Sequence, residues 1–399
     1  MVCDSIYPSE EGREKEVGFN LCFPKKCIFG VGAFAQLGKE AKEFGKRAVL
    51  VTGRGSTKRA GIVDRAIELL SSEGIEPILF DGVEGEPSTD VVDMACDLIR
   101  ERGCDLVIGV GGGSPIDVAK AAAAVAAHDG KTSEFLLGKK AIVKEGYPFI
   151  AVPTTAGTGA EVTRNSVLIE KVMRVKRSLR DPRMIAKVAI VDPELTLSMP
   201  PSVTASSGMD ALTHAIEAYV SKASNPISDA LAIRAIPLIS SYLPRAYEVG
   251  SDLYAREMVM LGSFMTGLAF ANASLGAVHG LAHPIGAQFG VPHGIACAIL
   301  LPHVMRYNIP AVPRKYADIA RAMGVNEDAD ELSLAHRAVD KVFELLDLLG
   351  IRKGFSAYGI KEEDIPDIIR DATGTSMESN PRPTTPEELY GILKDAILR

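Results

Sequence analysis

Asp105-Leu106-Val107-Ile108-Gly109-Val110-Gly111-Gly112-Gly113-Ser114-Pro115-Ile116-Asp117-Val118-Ala119-Lys120 is the stretch whose reading settles the architecture. Residues 105–110 read as a strand, and Pro115 suits the first turn of a helix. The three glycines between them let the backbone approach a ligand closely, with the N–H groups of the helix start facing a pyrophosphate. A tight turn needing positive φ would use the same glycines, so this stretch alone speaks more firmly for strand–turn–helix than for a ligand.

The same rhythm extends in both directions. Upstream, residues 48–52 are a continuous apolar run suited to a strand buried on both faces, Gly53-Arg54-Gly55-Ser56 is a turn, and 62–72 has helical periodicity. Residues 76–80 read as a strand and 89–102 as a helix, while 19–29 are short, apolar and rich in strand formers. Downstream, a strand at 148–152 runs into Pro153-Thr154-Thr155-Ala156-Gly157-Thr158-Gly159-Ala160-Glu161-Val162-Thr163, and 188–191 is another strand. Alternating strands and helices predict a parallel sheet with helices on both faces. The Thr-rich loop lines a phosphate or ribose, or else is a turn bonding to itself. Two such loops after strands place a ligand crevice at the carboxyl ends of the sheet and favour a dinucleotide. Lys176, with Arg174 and Arg177, lies on a polar segment that reads equally well as a solvated basic face.

Asp192-Pro193-Glu194-Leu195-Thr196 leads out of the last strand, and the domain boundary is placed at 197. The expectation is an α/β dinucleotide-binding domain over 1–197, with residues 1–17 loosely ordered, and an all-α domain over 198–399. In that second half the pattern is helical almost throughout, and four of the seven histidines fall between 208 and 302. Asp210 and His214 are four apart, as are His279 and His283, and His293 follows in a Gly/Pro-containing loop. Side chains at that spacing share one helix face. Carboxylate plus imidazole is the donor set of a borderline divalent cation such as iron, zinc or nickel. Spacing leaves open which four of the five groups bind.

Composition narrows the class. At 399 residues the chain is long for one core, and 47% hydrophobic with 24% charged residues is an ordinary globular balance. A net charge of -7 disfavours general binding to nucleic acid or an anionic membrane. No long uncharged apolar run predicts a transmembrane helix, and the N-terminus lacks an apolar signal core. Six scattered cysteines without a CxxC pair read as reduced thiols, mostly small core residues, and the expected location is the cytoplasm.

Taken in order, the Gly111–Asp117, Thr154–Thr163 and Gly208–Glu217 motifs and the 279–303 stretch resemble the iron-containing (group III) alcohol dehydrogenases. That family shares an architecture with glycerol dehydrogenase and dehydroquinate synthase, and the resemblance covers residues 19–398. It implies that Asp210, His214, His279 and His293 hold Fe(II), with zinc, nickel or manganese as possible substitutes, and that His283 is an unligated pocket histidine acting as proton relay. It further implies cofactor contacts at Gly112, Gly113, Ser114, Asp117, Thr154, Thr155, Thr158, Lys176 and Leu197. NAD-preferring members tend to carry an aspartate after the first core strand, where this chain has Gly53-Arg54. Glycine removes the repulsion of a 2′-phosphate and Arg54 offers it a partner, so NADP(H) is favoured over NAD(H). The implied reaction is hydride transfer between a small primary alcohol or aldehyde and the nicotinamide. The alternatives are a lyase like dehydroquinate synthase, a glycerol, diol or hydroxyacid dehydrogenase, and a non-enzymatic sensor. Apolar residues on the ligand helices favour a small apolar alcohol, and the apolar strand at 20–29 suits edge pairing in a homodimer.

Overall fold

The computed structural model describes residues 18–173, 175–351 and 354–398. Residues 1–17, expected to be loosely ordered, and Arg174 lie outside the described residues.

The N-terminal domain contains β1 (Lys26–Phe29), β2 (Arg47–Gly53), β3 (Glu76–Val83), β4 (Leu106–Gly111), β5 (Phe149–Pro153), β6 (Asn165–Glu170), β7 (Val175–Arg180) and β8 (Val188–Val191). Its longer helices are α1 (Ile62–Ser72), α2 (Thr89–Arg102) and α3 (Gly113–Val125). Six strands form one parallel sheet in the order β1-β8-β5-β4-β2-β3. On β2, Val49 and Val51 join one hydrophobic cluster while Ala48 and Leu50 join another. β4, β5 and β8 are buried along their whole length. A sheet covered on both faces requires this near-continuous apolar pattern. Adjacent strands also end level, with Thr52 opposite Val110 and Gly111 opposite Pro153. The loops after β2, β4 and β5 therefore open side by side at the carboxyl edge.

One sequence expectation is corrected and a second is refined. The strand expected over 19–29 is confined to Lys26–Phe29. Pro24 brings no N–H to a ladder, and Cys22 instead exchanges backbone hydrogen bonds with the Asn272 amide of the helical domain, at 2.7 and 3.3 Å. The polar segment around Lys176, read as equally a solvated basic face, is one arm of the antiparallel β6–β7 hairpin, with Arg177 exposed and Lys176 only 14% exposed.

The C-terminal domain is helical: α4 (Pro201–Val220), α5 (Pro226–Glu248), α6 (Leu253–Phe270), α7 (Ala277–Phe289), α8 (His293–Asn308), α9 (Pro313–Ala322), α10 (Glu331–Leu348), α11 (Ile365–Asp371) and α12 (Pro386–Ile397), with a short turn of helix at Thr375–Ser379. Proline opens α4, α5, α9 and α12, at a position where the missing N–H has no intrahelical partner anyway. These helices share one core, running from Met209 and Leu212 to Leu393. Among the described residues no helix is long and apolar enough to cross a membrane.

Candidate active site

Helix α4 presents Asp210 and His214 one turn apart, and α7 does the same with His279 and His283. The third contributor, α8, begins at His293 itself. Gly294 permits the close approach of α8 to α4, since a Cβ there would stand 2.2 Å from the Ser206 carbonyl oxygen.

Three imidazoles thereby surround one carboxylate oxygen. Asp210 Oδ1 lies 3.7 Å from His214 Nδ1, 3.6 Å from His279 Nε2 and 3.7 Å from His293 Nε2. A tetrahedral shell with bonds of about 2.0–2.2 Å sets its donors about 3.3–3.6 Å apart. Among the described residues, Asp210 Oδ1, His214 Nδ1 and His279 Nε2 are all buried without a hydrogen-bond partner. Polar atoms orphaned together in a core are unfavourable unless something accepts their lone pairs. A divalent cation does so, and oxygen plus imidazole nitrogen fits iron or zinc.

Electrostatics agree with that use at Asp210, His214 and His293. At His279 burial is outweighed by the Cys297, Glu217 and Asp210 side chains, which hold the ring well above the usual imidazole range, so a cation displaces a proton there. Burial disfavours the Asp210 carboxylate, but His214, His279 and His293 outweigh it and hold the group below the usual carboxyl range. Burial pulls His214 down to about 3 and His293 down to about 4, so both rings are neutral at pH 7 with lone pairs free. Cys297, read from sequence as core, also comes to the pocket: its Sγ is 3.7 Å from His293 Nε2. Asp210, His279, His293 and Cys297 offer ligand atoms within 4.8 Å of one another. Burial pushes that thiol up to about 11, so it meets neutral pH protonated and is a poorer donor than His214. His283 stacks on His293 with centroids 5.3 Å apart, and burial holds it well below the usual imidazole range.

These groups line one cleft of about 780 Å³ between the domains, within the about 300–1,000 Å³ typical of ligand sites. Gly113, Ser114, Asp117, Thr158 and Lys176 face it from the sheet side, and Asp210, His214, His279, His283 and His293 from the helices. Lys176 is only 14% exposed and pairs with Glu86. The other expected contacts do not line this cavity. Gly112 faces Thr155, Thr154 N–H donates to Gly111 O at 2.9 Å, and Leu197 is part-exposed beyond the turn after β8. Gly53 ends β2, and the Arg54 guanidinium pairs with Glu84.

Several residues had no role in the sequence reading. Lys120, fully buried, donates to Ala160 O at 2.8 Å, Thr163 Oγ1 at 2.9 Å and Asn165 O at 2.7 Å, tying α3 to the Thr-rich loop. Its signal was a solitary cation in an alanine-rich helix. Asp117, which the sequence reading assigned only to the cofactor, also accepts the Val167 N–H at 2.9 Å, which docks β6 on α3. Arg164 and Arg180 line the cleft at the base of the hairpin. Neither appears in an ion pair among the described residues, whereas Glu86 and Asp117 in the same wall are paired with lysines. Glu217, one turn beyond His214, carries a carboxylate to within 2.6 Å of His279 Nδ1.

Comparison with known proteins agrees with this architecture. The profile of iron-containing alcohol dehydrogenases matches residues 24–193, and that of the Fe-containing alcohol dehydrogenase family, C-terminal, matches 204–397. A 1,3-propanediol dehydrogenase of Citrobacter freundii is 40% identical over 383 residues, covering 95% of this chain and 98% of the relative. An NADPH-dependent butanol dehydrogenase of Clostridium saccharobutylicum is 39% identical, covering 93% and 96%. The crystal structure of a 1,3-propanediol oxidoreductase superposes with a TM-score of 0.92 at 39% identity, over 95% of this chain and 100% of that one.

Proposed function

Because the chain belongs to the iron-containing alcohol dehydrogenase family, we propose that it transfers hydride between a small primary alcohol, or its aldehyde, and NADP(H), with Fe(II) held by Asp210, His214, His279 and His293. The observation that carries this reading is the set of buried, unpartnered donors around Asp210 Oδ1. When bound, the cation supplies Lewis-acid polarisation of the alcohol oxygen, and the nicotinamide supplies the hydride-accepting carbon. The chain's own residues orient, shield and move the proton. Neutral His283, whose Nδ1 is buried without a partner, takes the alcohol proton on oxidation and returns it on reduction. Phe270, stacked on His214 at 4.4 Å, shields the ligand ring from water.

Gly112, Gly113 and Ser114 offer backbone N–H groups at the start of α3 to the pyrophosphate. Thr154, Thr155, Thr158, Lys176 and Asp117 receive the ribose and nicotinamide end, and Leu197 flanks the cofactor. NADP(H) is supported by the β2 turn: a Cβ on Gly53 would meet nothing closer than 3.7 Å, so packing does not explain the glycine. Arg54 would exchange Glu84 for the 2′-phosphate. We also place the domain divide at 197, the enzyme in the cytoplasm, and a homodimer contact at the edge strand β1.

A second reading of the substrate is favoured by Arg164 and Arg180. Two guanidiniums that, among the described residues, have no carboxylate partner in the cleft wall suit an alcohol or aldehyde that itself carries an acid group. The test of both is oxidation of NADPH by butanal and by 4-oxobutanoate with the Fe(II)-loaded enzyme. Turnover of either supports the dehydrogenase, and preference for the oxo acid supports the second reading. No turnover across short aldehydes with NADPH or NADH and each candidate metal overturns the assignment.

A further inference from the structure

Helix α7 starts at Gly276, which brings no capping side chain. Its first N–H groups are satisfied from remote parts of the chain: Ala277 N–H donates to Asn380 Oδ1 at 3.1 Å, and Val278 N–H to Glu217 Oε1 at 2.7 Å. The other carboxylate oxygen of Glu217, Oε2, is 2.6 Å from His279 Nδ1, while Nε2 of the same ring faces Asp210. A main-chain N–H is always a donor, so Glu217 must accept at Oε1. Accepting at Oε2 as well, it holds a proton on His279 Nδ1 and turns Nε2 toward Asp210 Oδ1.

Asn380 is held with equal definition. It is fully buried, forms a reciprocal amide pair with Asn308 at 3.0 and 2.8 Å, and donates to Arg382 O at 2.7 Å. With its NH2 group so engaged, Oδ1 is the atom that faces α7. The residue before it is fastened to the other ligand helix, since Lys222 N–H, just past the end of α4, donates to Ser379 O at 2.9 Å. A Cβ on Gly276 would stand 2.8 Å from Glu217 Oε1 and 3.0 Å from Asn380 Oδ1, so any other residue at the cap would push these acceptor atoms aside.

We infer that Glu217 and Asn380 form a buried clamp that sets the tautomer and the position of His279, so that the segment 379–382 supports the metal site despite its distance in sequence. Both are positioning residues, acting through His279. The inference rests on the reading of His279 as a ligand given above.

Glu217→Gln retains the shape but has one acceptor oxygen for two donors, leaving either Val278 N–H or His279 Nδ1–H against an NH2 group. The expected result is a metal Kd, by chelator competition, weakened about 10–100-fold, with the NADPH Kd of the metal-free protein changed by less than about twofold. A metal Kd within about twofold of the unmodified chain overturns the clamp, and so does a parallel loss of nucleotide binding, which marks general disruption. Should E217Q not fold, nitrogen-15 histidine spectra of the unmodified metal-free chain decide the matter: a proton on His279 Nδ1, in the neutral ring or the imidazolium, supports the clamp, and a bare Nδ1 overturns it. If the unmodified chain binds no cation in the same competition, the ligand reading fails, and the tautomer spectrum still judges the clamp by itself.

Discussion

At His283 the roles of binding and chemistry separate. It shares a helix face with His279, yet it has no short contact with Asp210 and stacks on the outer ligand ring instead. His283→Ala is therefore expected to retain the cation at full stoichiometry by metal analysis while kcat falls about 10²–10⁴-fold, the usual range for losing a general acid–base. Loss of metal in that variant would reverse the roles of His283 and a ligand. Glu161 offers a second test. It is 3% exposed in the Thr-rich loop, and burial pushes its carboxyl from 4.5 up to about 7 despite the partial offset from Lys120. Between those values the folded chain binds a proton that the unfolded chain has released, so stability falls as pH rises through that window. Glu161→Gln mimics the protonated acid and abolishes this dependence. Denaturant melts should show the variant gaining on the parent between pH 5 and pH 8, by up to about 3 kcal/mol; a gap that does not change with pH contradicts the assignment. Four of the five candidate donors were legible in sequence because i, i+4 spacing survives folding unchanged, and His293 was legible as the next histidine along, in the Gly/Pro-containing loop. The partners Glu217 and Lys120 were not, because their value depends on atoms that arrive from 61 and 40 or more residues away.

Among the elements, α1 and α2 take the bounds their periodicity predicts, Ile62–Ser72 and Thr89–Arg102, and β8 matches Val188–Val191. Each buries one face or both against a core, so the pattern is written in apolar residues. The β6–β7 hairpin is written differently. Its Asn165, Val167, Lys176, Ser178 and Arg180 line the cleft instead of a core, so alternation of apolar residues is muted and the Lys176 arm reads only as a polar segment. The β2 turn carries the cofactor prediction. Gly53→Asp introduces a carboxylate where a Cβ has room, and kcat/KM for NADPH should drop about tenfold or more while that for NADH holds or rises. Equal loss with both nucleotides would place the 2′-phosphate elsewhere.

For the whole molecule, the two domains meet at the cleft, with the carboxyl edge of the sheet on one wall and the three ligand helices on the other. A cation held as proposed would couple α4, α7 and α8, and so would stabilise the folded chain by mass action. At about a hundredfold excess of metal over Kd the gain is about 2.7 kcal/mol, seen as a higher Tm than that of the chelated protein, with NADPH affinity retained. An unchanged Tm would mean that no such coupling exists. All of this depends on a single ion among four side chains. The direct measurement is anomalous diffraction at the iron and zinc edges from crystals grown with each metal. The account predicts one peak at bonding distance from Asp210, His214, His279 and His293, with His283 and Cys297 outside the shell. No peak among these residues, or a peak held by a different set, would contradict it.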